Sequence, residues 1–166
     1  MNKAGVFLIA FGLGVSALPL GASAATCPVK IGGLAPLSAP GAVGGGEAMR
    51  DAMLFAERDI NAAGGVLGCK VKVVIADTEG LPEKASAIME KLITQDGVVA
   101  VGGGYHSSVG VASKDVANNR KIPVVFAETW NDTITGDKQK YIFRIEPLSS
   151  WASATLWKAA LLVPNI

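Results

Sequence analysis

Three glycines followed by Tyr105, His106 and a serine pair, Gly102–Ser108 (GGGYHSS), form the stretch of this chain best suited to hold a small anion. Glycines let a backbone approach a ligand closely and take unusual φ angles. A helix opened at the serines would present unpaired N–H groups and a partial positive charge, a setting that favours a carboxylate. Ser107 and Ser108 add hydroxyl donors, or serve only as N-caps of that helix. A second polar stretch, Ala127-Glu128-Thr129, closes the apolar run PVVFA. Glu128 suits a ligand cation or a solvated loop position, and Tyr105 suits the wall of a cleft. His106, the single histidine, reads as structural or exposed.

The same residues have to be weighed as an enzyme. Gly102-x-Gly104-x-x-Ser107, with Glu128 somewhat over 20 residues on, mimics a dinucleotide-binding fingerprint. The third glycine is replaced by Ser107, and the loop follows the third strand of the chain rather than the first. A Ser-His triad is no better served, because adjacent His106 and Ser107 cannot easily reach base–nucleophile geometry. No catalytic residue and no cofactor is expected. Two cysteines and a distant histidine are too few for a metal site.

Alternating strand and helix patterns must position these loops. Val29–Leu37 is a glycine-broken apolar strand with its exit, and Ser38–Gly46 is loop-like. Glu47–Ala63 is predicted helical, with Met49, Met53, Ala56 and Ile60 on one face and Gly64-Gly65 as its stop. Lys70–Ala76 is a strand. A helix opened by Pro82 buries Ala85, Ile88, Met89 and Leu92. Val98–Val101 is apolar on both faces, as in a buried parallel strand. A helix near Ser107–Asn119, strands at Pro123–Ala127 and Tyr141–Ile145, and a helix over Ser149–Leu162 complete the order. This is an α/β class, a doubly wound parallel sheet with helices on both faces. Ligands of such sheets bind outside the carboxyl ends of the strands.

Residues 1–24 read as a secretory signal peptide: Lys3, the apolar run Ala4–Leu20, then Ala22-Ser23-Ala24 as a cleavage site. The 15 Lys and Arg against 14 Asp and Glu include Lys3, so the mature part balances. That gives no electrostatic case for nucleic acid or an anionic membrane.

Several segments resemble the branched-chain amino-acid binding protein family, the type I periplasmic binding proteins. They are IGGLAPLSAPG at Ile31–Gly41, AERDINAAGGVLG at Ala56–Gly68, the strand Lys70–Asp77, and Val101–Thr129 with its glycine-rich exit, serine pair and IPVVFAET. YIFRIEP at Tyr141–Pro147 is similar to the family's next strand. The resemblance implies a periplasmic solute-binding component of an ABC transporter, holding a small amino-acid-like ligand between two lobes and delivering it to a permease. A monomer is expected at full length. The resemblance places Ser107 at a ligand-binding position, and maps Ala127 and Thr129 onto a carbonyl and a hydroxyl that hold the ligand. Glu128 and Trp130 are less usual there. Family members run to about twice this length or more. The chain is therefore expected to be lobe one over 25–148, truncated before the second lobe, with 149–166 a helix leading toward it. A receptor's ligand-sensing domain shares this fold and is the alternative.

Two geometric expectations follow. Strands in the spatial order 2-1-3-4-5 put Ser107 and Thr129 at one edge of the sheet. Cys27 and Cys69 stand just before the first and second strands, so neighbouring parallel strands bring both to one end. Strand spacing matches the reach of a disulfide, and export favours one.

Overall fold

The computed structural model describes residues 27–163; the leader expected at 1–24 lies outside them. Strands and helices alternate as β1 (Val29–Ala35), α1 (Val43–Ala62), β2 (Val71–Asp77), α2 (Pro82–Thr94), β3 (Ala100–Gly103), α3 (Ser107–Asn119), β4 (Val124–Phe126), α4 (Thr133–Gly136), β5 (Ile142–Arg144) and α5 (Ser149–Ala160). The sheet runs β2-β1-β3-β4-β5 with every pair parallel. Cys27 and Cys69 are bridged at its amino edge, Cα atoms 5.2 Å apart. The expected order and pairing are both present.

Strand side chains alternate between faces, and the two faces differ. On one, α2 and α3 lie side by side. Leu34, Met89, Leu92, Val101, Ala117, Val124, Phe126 and Ile142 form its core, and none is more than 4% exposed. On the other, α1 packs on β1 and β2, with Met53 against Gly33 and Ile75. There the cross-sheet row Gly33–Gly102–Val125–Phe143 runs out from under the helix. Val125 and Phe143 are 40% and 49% exposed.

Several sequence expectations need correction. The loop assigned to 38–46 is shorter, because α1 starts at Val43 and takes in three glycines. Glycine is unfavourable inside a helix, but here contact decides. A Cβ on Gly46 would collide with the Pro36 carbonyl, and one on Gly45 with the Tyr105 ring. The α1 stripe is incompletely covered: Met49 and Met53 are half-buried, while Ala56 and Ile60 are exposed. Val98–Val101 is not a strand buried on both sides; β3 lies two residues later and Val99 is 54% exposed. The short α4 has no counterpart in the sequence reading. It is docked by the buried Lys114, whose ammonium donates to the Thr133 carbonyl at 2.7 Å and to the Asp137 carboxylate. No residue of α5 is buried. No described helix is long and apolar enough to cross a membrane.

Candidate functional site

From β1 the chain turns to one face of the sheet, and from β3 to the other. These strands are neighbours, so a crevice opens between their exits, the usual ligand position of an open α/β sheet. Gly103 and Gly104 carry the β3 exit at φ +95° and +85°, in the left-handed region where a side chain is strained. Gly103 also passes under the Leu34 carbonyl, which accepts the Gly104 N–H at 2.8 Å.

The next residues decide what the serines do. The N-cap of α3 is His106, and no side chain caps the helix. Ser107 and Ser108 are its first two helical residues. Their N–H groups and that of Val109 donate to no described residue. The Ser107 hydroxyl accepts the Asn131 N–H at 3.2 Å and so keeps its own proton to donate. Ser108 is exposed. His106 Nδ1 is buried and unpartnered among the described residues; its ring lies beside Gly80 and edge-on to Tyr105.

The β4 exit is tied to the β3 exit by Ala127 and Glu128, whose N–H groups donate to the Gly103 and Gly104 carbonyls at 3.0 and 3.1 Å. The Ala127 carbonyl accepts nothing from the described residues. Tyr105, Ala127 and Glu128 line a depression of about 330 Å³ together with Gly45, Met49 and Ile145. The Glu128 carboxylate accepts the Trp130 indole N–H at 3.2 Å. Thr129 differs from expectation. It is fully buried against Gly104 and Gly110, and its N–H and hydroxyl donate to one oxygen of Glu146 at 3.1 and 3.0 Å. Its hydroxyl proton is committed to Glu146. Ser107 and Thr129 do share one edge of the sheet, as expected.

Sequence reasoning missed the supports. Arg144 donates to the Trp130 and Asn131 carbonyls, and the Ser149 N–H and hydroxyl to the Trp130 carbonyl. Asp132 accepts the Ser150 N–H; hydrogen bonds from Ser150 hold its carboxyl below the ordinary aspartate range. Asp77, at the end of β2, accepts from the Leu37 N–H, the Ser38 hydroxyl and the Glu79 N–H, which fixes the β1 exit. The signal was the register: Phe126 pairs with Arg144, so the residue after each strand meets its neighbour's exit. A larger cavity of about 570 Å³ lies at the opposite edge, by Cys27, Val66 and Leu67, away from these groups. No described cluster of three or more His, Cys, Asp or Glu is placed to hold a metal.

The family profile described as periplasmic binding protein matches residues 28–161. The chain belongs to the periplasmic binding protein family. It is 34% identical over 140 residues to a Leu/Ile/Val-binding protein homolog 8 of Brucella suis, covering 84% of this chain and 34% of that one. It is 34% identical over 121 residues to an amino acid binding protein of Pseudomonas aeruginosa, covering 73% and 32%. The substrate binding protein LivJ of a branched-chain amino acid transporter, from Streptococcus pneumoniae and solved with isoleucine, superposes with a TM-score of 0.69 at 29% identity, over 74% of this chain and 34% of that one. A leucine binding protein of Thermotoga maritima, at 23% identity and a TM-score of 0.73, shares the fold. The periplasmic binding protein described here thus spans about a third of the length of the relatives it matches. Its sheet is that of a type I lobe.

Proposed function

We propose that this chain is the first lobe of an exported solute-binding component of an ABC transporter, taking a branched-chain or other small amino-acid-like ligand in the periplasm for delivery to a permease. The uncapped start of α3 at the switch point carries this reading. Three N–H groups without a partner among the described residues, and two serine hydroxyls, suit an α-carboxylate. The Ala127 carbonyl, unpaired among the described residues, and the Glu128 carboxylate suit the α-ammonium, and Tyr105 walls the same depression. Names of relatives as Leu/Ile/Val-binding proteins support the ligand class. We read the role as capture and release, in keeping with relatives named as binding proteins.

A single lobe holds a ligand on one side only. Hydrogen bonds in an open, wet site net about 0.5–1.5 kcal/mol each, against several kcal/mol lost on association. Affinity near ~1 mM follows, equivalent to about −4 kcal/mol. Titration of the protein with leucine, isoleucine and valine, followed by amide chemical shifts, tests this. Millimolar binding centred on Ser107, Ser108 and Glu128, and weakened by Ser107→Ala, is expected. Micromolar binding would show that one lobe carries the whole site, and shifts confined to other surfaces would remove the assignment.

A further inference from the structure

We propose that Glu146 is a positioning residue of this ligand site, acting through Thr129 on the Ala127–Trp130 exit. This rests on the ligand reading given above. Glu146 is half-buried where β5 leads into α5, and among the described residues it accepts no hydrogen bond from a cation. One carboxylate oxygen takes both Thr129 donors and the other takes the Ile145 N–H at 3.2 Å. Thr129 is the pivot of the exit. Two residues before it is the unpaired Ala127 carbonyl, and next to it are Glu128 and Trp130, both turned to solvent. The far side of the same exit is held by Arg144 and Ser149, through the Trp130 and Asn131 carbonyls. The β4 exit is thus gripped from the β5–α5 junction, and Glu146 provides the grip nearest the ligand groups. Thr129 serves as a strut under the site.

The test uses 15N-labelled protein, L-leucine as the probe, and amide hydrogen exchange. Glu146→Gln, with its amide oxygen toward Thr129, keeps both of those bonds and gives up only the one from Ile145, whose N–H also donates to the Phe126 carbonyl; it should bind leucine within about threefold of wild type, whereas Glu146→Ala, which loses both Thr129 bonds, should bind at least about tenfold more weakly. Thr129→Val, which loses the hydroxyl bond but keeps the N–H bond, should lose less than Glu146→Ala, and the double variant should lose no more than Glu146→Ala alone, as for residues in one network. Exchange at the Thr129 amide should rise at least about tenfold in Glu146→Ala and little in Glu146→Gln. A wild-type protein with no leucine-induced shifts overturns the ligand reading itself. Wild-type binding with affinity and Thr129 exchange unchanged in Glu146→Ala overturns only the role of Glu146. Equal losses in Gln and Ala overturn it too, since a role through the acceptor oxygen requires rescue.

Discussion

The two faces of this sheet are built from the same strands and finished differently. Under α2 and α3, Val124 and Phe126 are wholly buried; one residue over, Val125 is 40% exposed on the α1 side. Burial of apolar area at about 25 cal/mol per Å² stabilises the first face far more than the second. The candidate site straddles them. Its donors, at the start of α3, rise from the closed face, and its acceptors, the Ala127 carbonyl and the Glu128 carboxylate, stand at the β4 exit. Its wall, Tyr105 with the first turns of α1, belongs to the open one. The proposed ligand groups and their wall thus come from differently packed faces.

The strongest way to break this comparison is to truncate one phenylalanine on each face. Phe126→Ala should cost about 3–5 kcal/mol, and Phe143→Ala, half-exposed, less than about 1.5 kcal/mol. Denaturant midpoints at unchanged slope measure both; equal costs would refute the asymmetry.

The disulfide probes the α1 side, since it ties the starts of β1 and β2 across 42 residues. Reduction should remove about 2–4 kcal/mol and speed amide exchange in α1 and β2 before α3. Thiol titration of the denatured, unreduced protein should find none free.

Two glycines sharpen the contrast in sign. A Cβ on Gly32 would stand 3.1 Å from Val101 Cγ2 and 3.2 Å from Leu92 Cδ1, so Gly32→Ala should destabilise by about 1–2 kcal/mol through overpacking. Gly102, on the opposite face, would meet nothing within 4 Å, and Gly102→Ala should stabilise by up to about 0.5–1 kcal/mol. Thermal unfolding midpoints should move in opposite directions.

The smallest effect concerns acid. Burial pushes the Asp77 carboxyl up, but hydrogen bonds from the Ser38 hydroxyl and the N–H groups of Glu79, Leu37 and Ser38 outweigh it, and the pKa falls below the ordinary 3.8. A lowered folded-state pKa stabilises fully above the unfolded value, and the contribution is lost as pH drops through the folded one. Water screens this edge group, so the loss should stay below about 1 kcal/mol. Asp77→Asn should flatten the stability profile below about pH 4 and leave Phe126 packing intact.

The helix over Ser107–Asn119 and the stripe Ala85, Met89 and Leu92 were legible from local signals, a glycine-rich strand exit before the first and Pro82 with helical spacing in the second. The start of α1 was not, since its glycines answer to Pro36 and Tyr105, contacts that exist only once β1 and β3 are side by side. The same limit applies to the site. The glycine-rich exit and paired serines stood out in the sequence, but whether those serines cap the helix or lie within it depended on where the helix began.

By itself, then, the sequence determined the order of the five strands and their long helices, which follows from patterns within a few residues. The strand order in the sheet came with the family resemblance, and the cysteine pairing and the edge on which polar loops gather followed from that order. Tertiary structure alone decided that Thr129 turns inward to Glu146 and that Glu128 and Tyr105 share a depression. It also decided that one sheet face is closed while the other runs out from under its helix. These outcomes depend on register between strands far apart in the chain, where a side chain's direction is set by neighbours that no local pattern encodes.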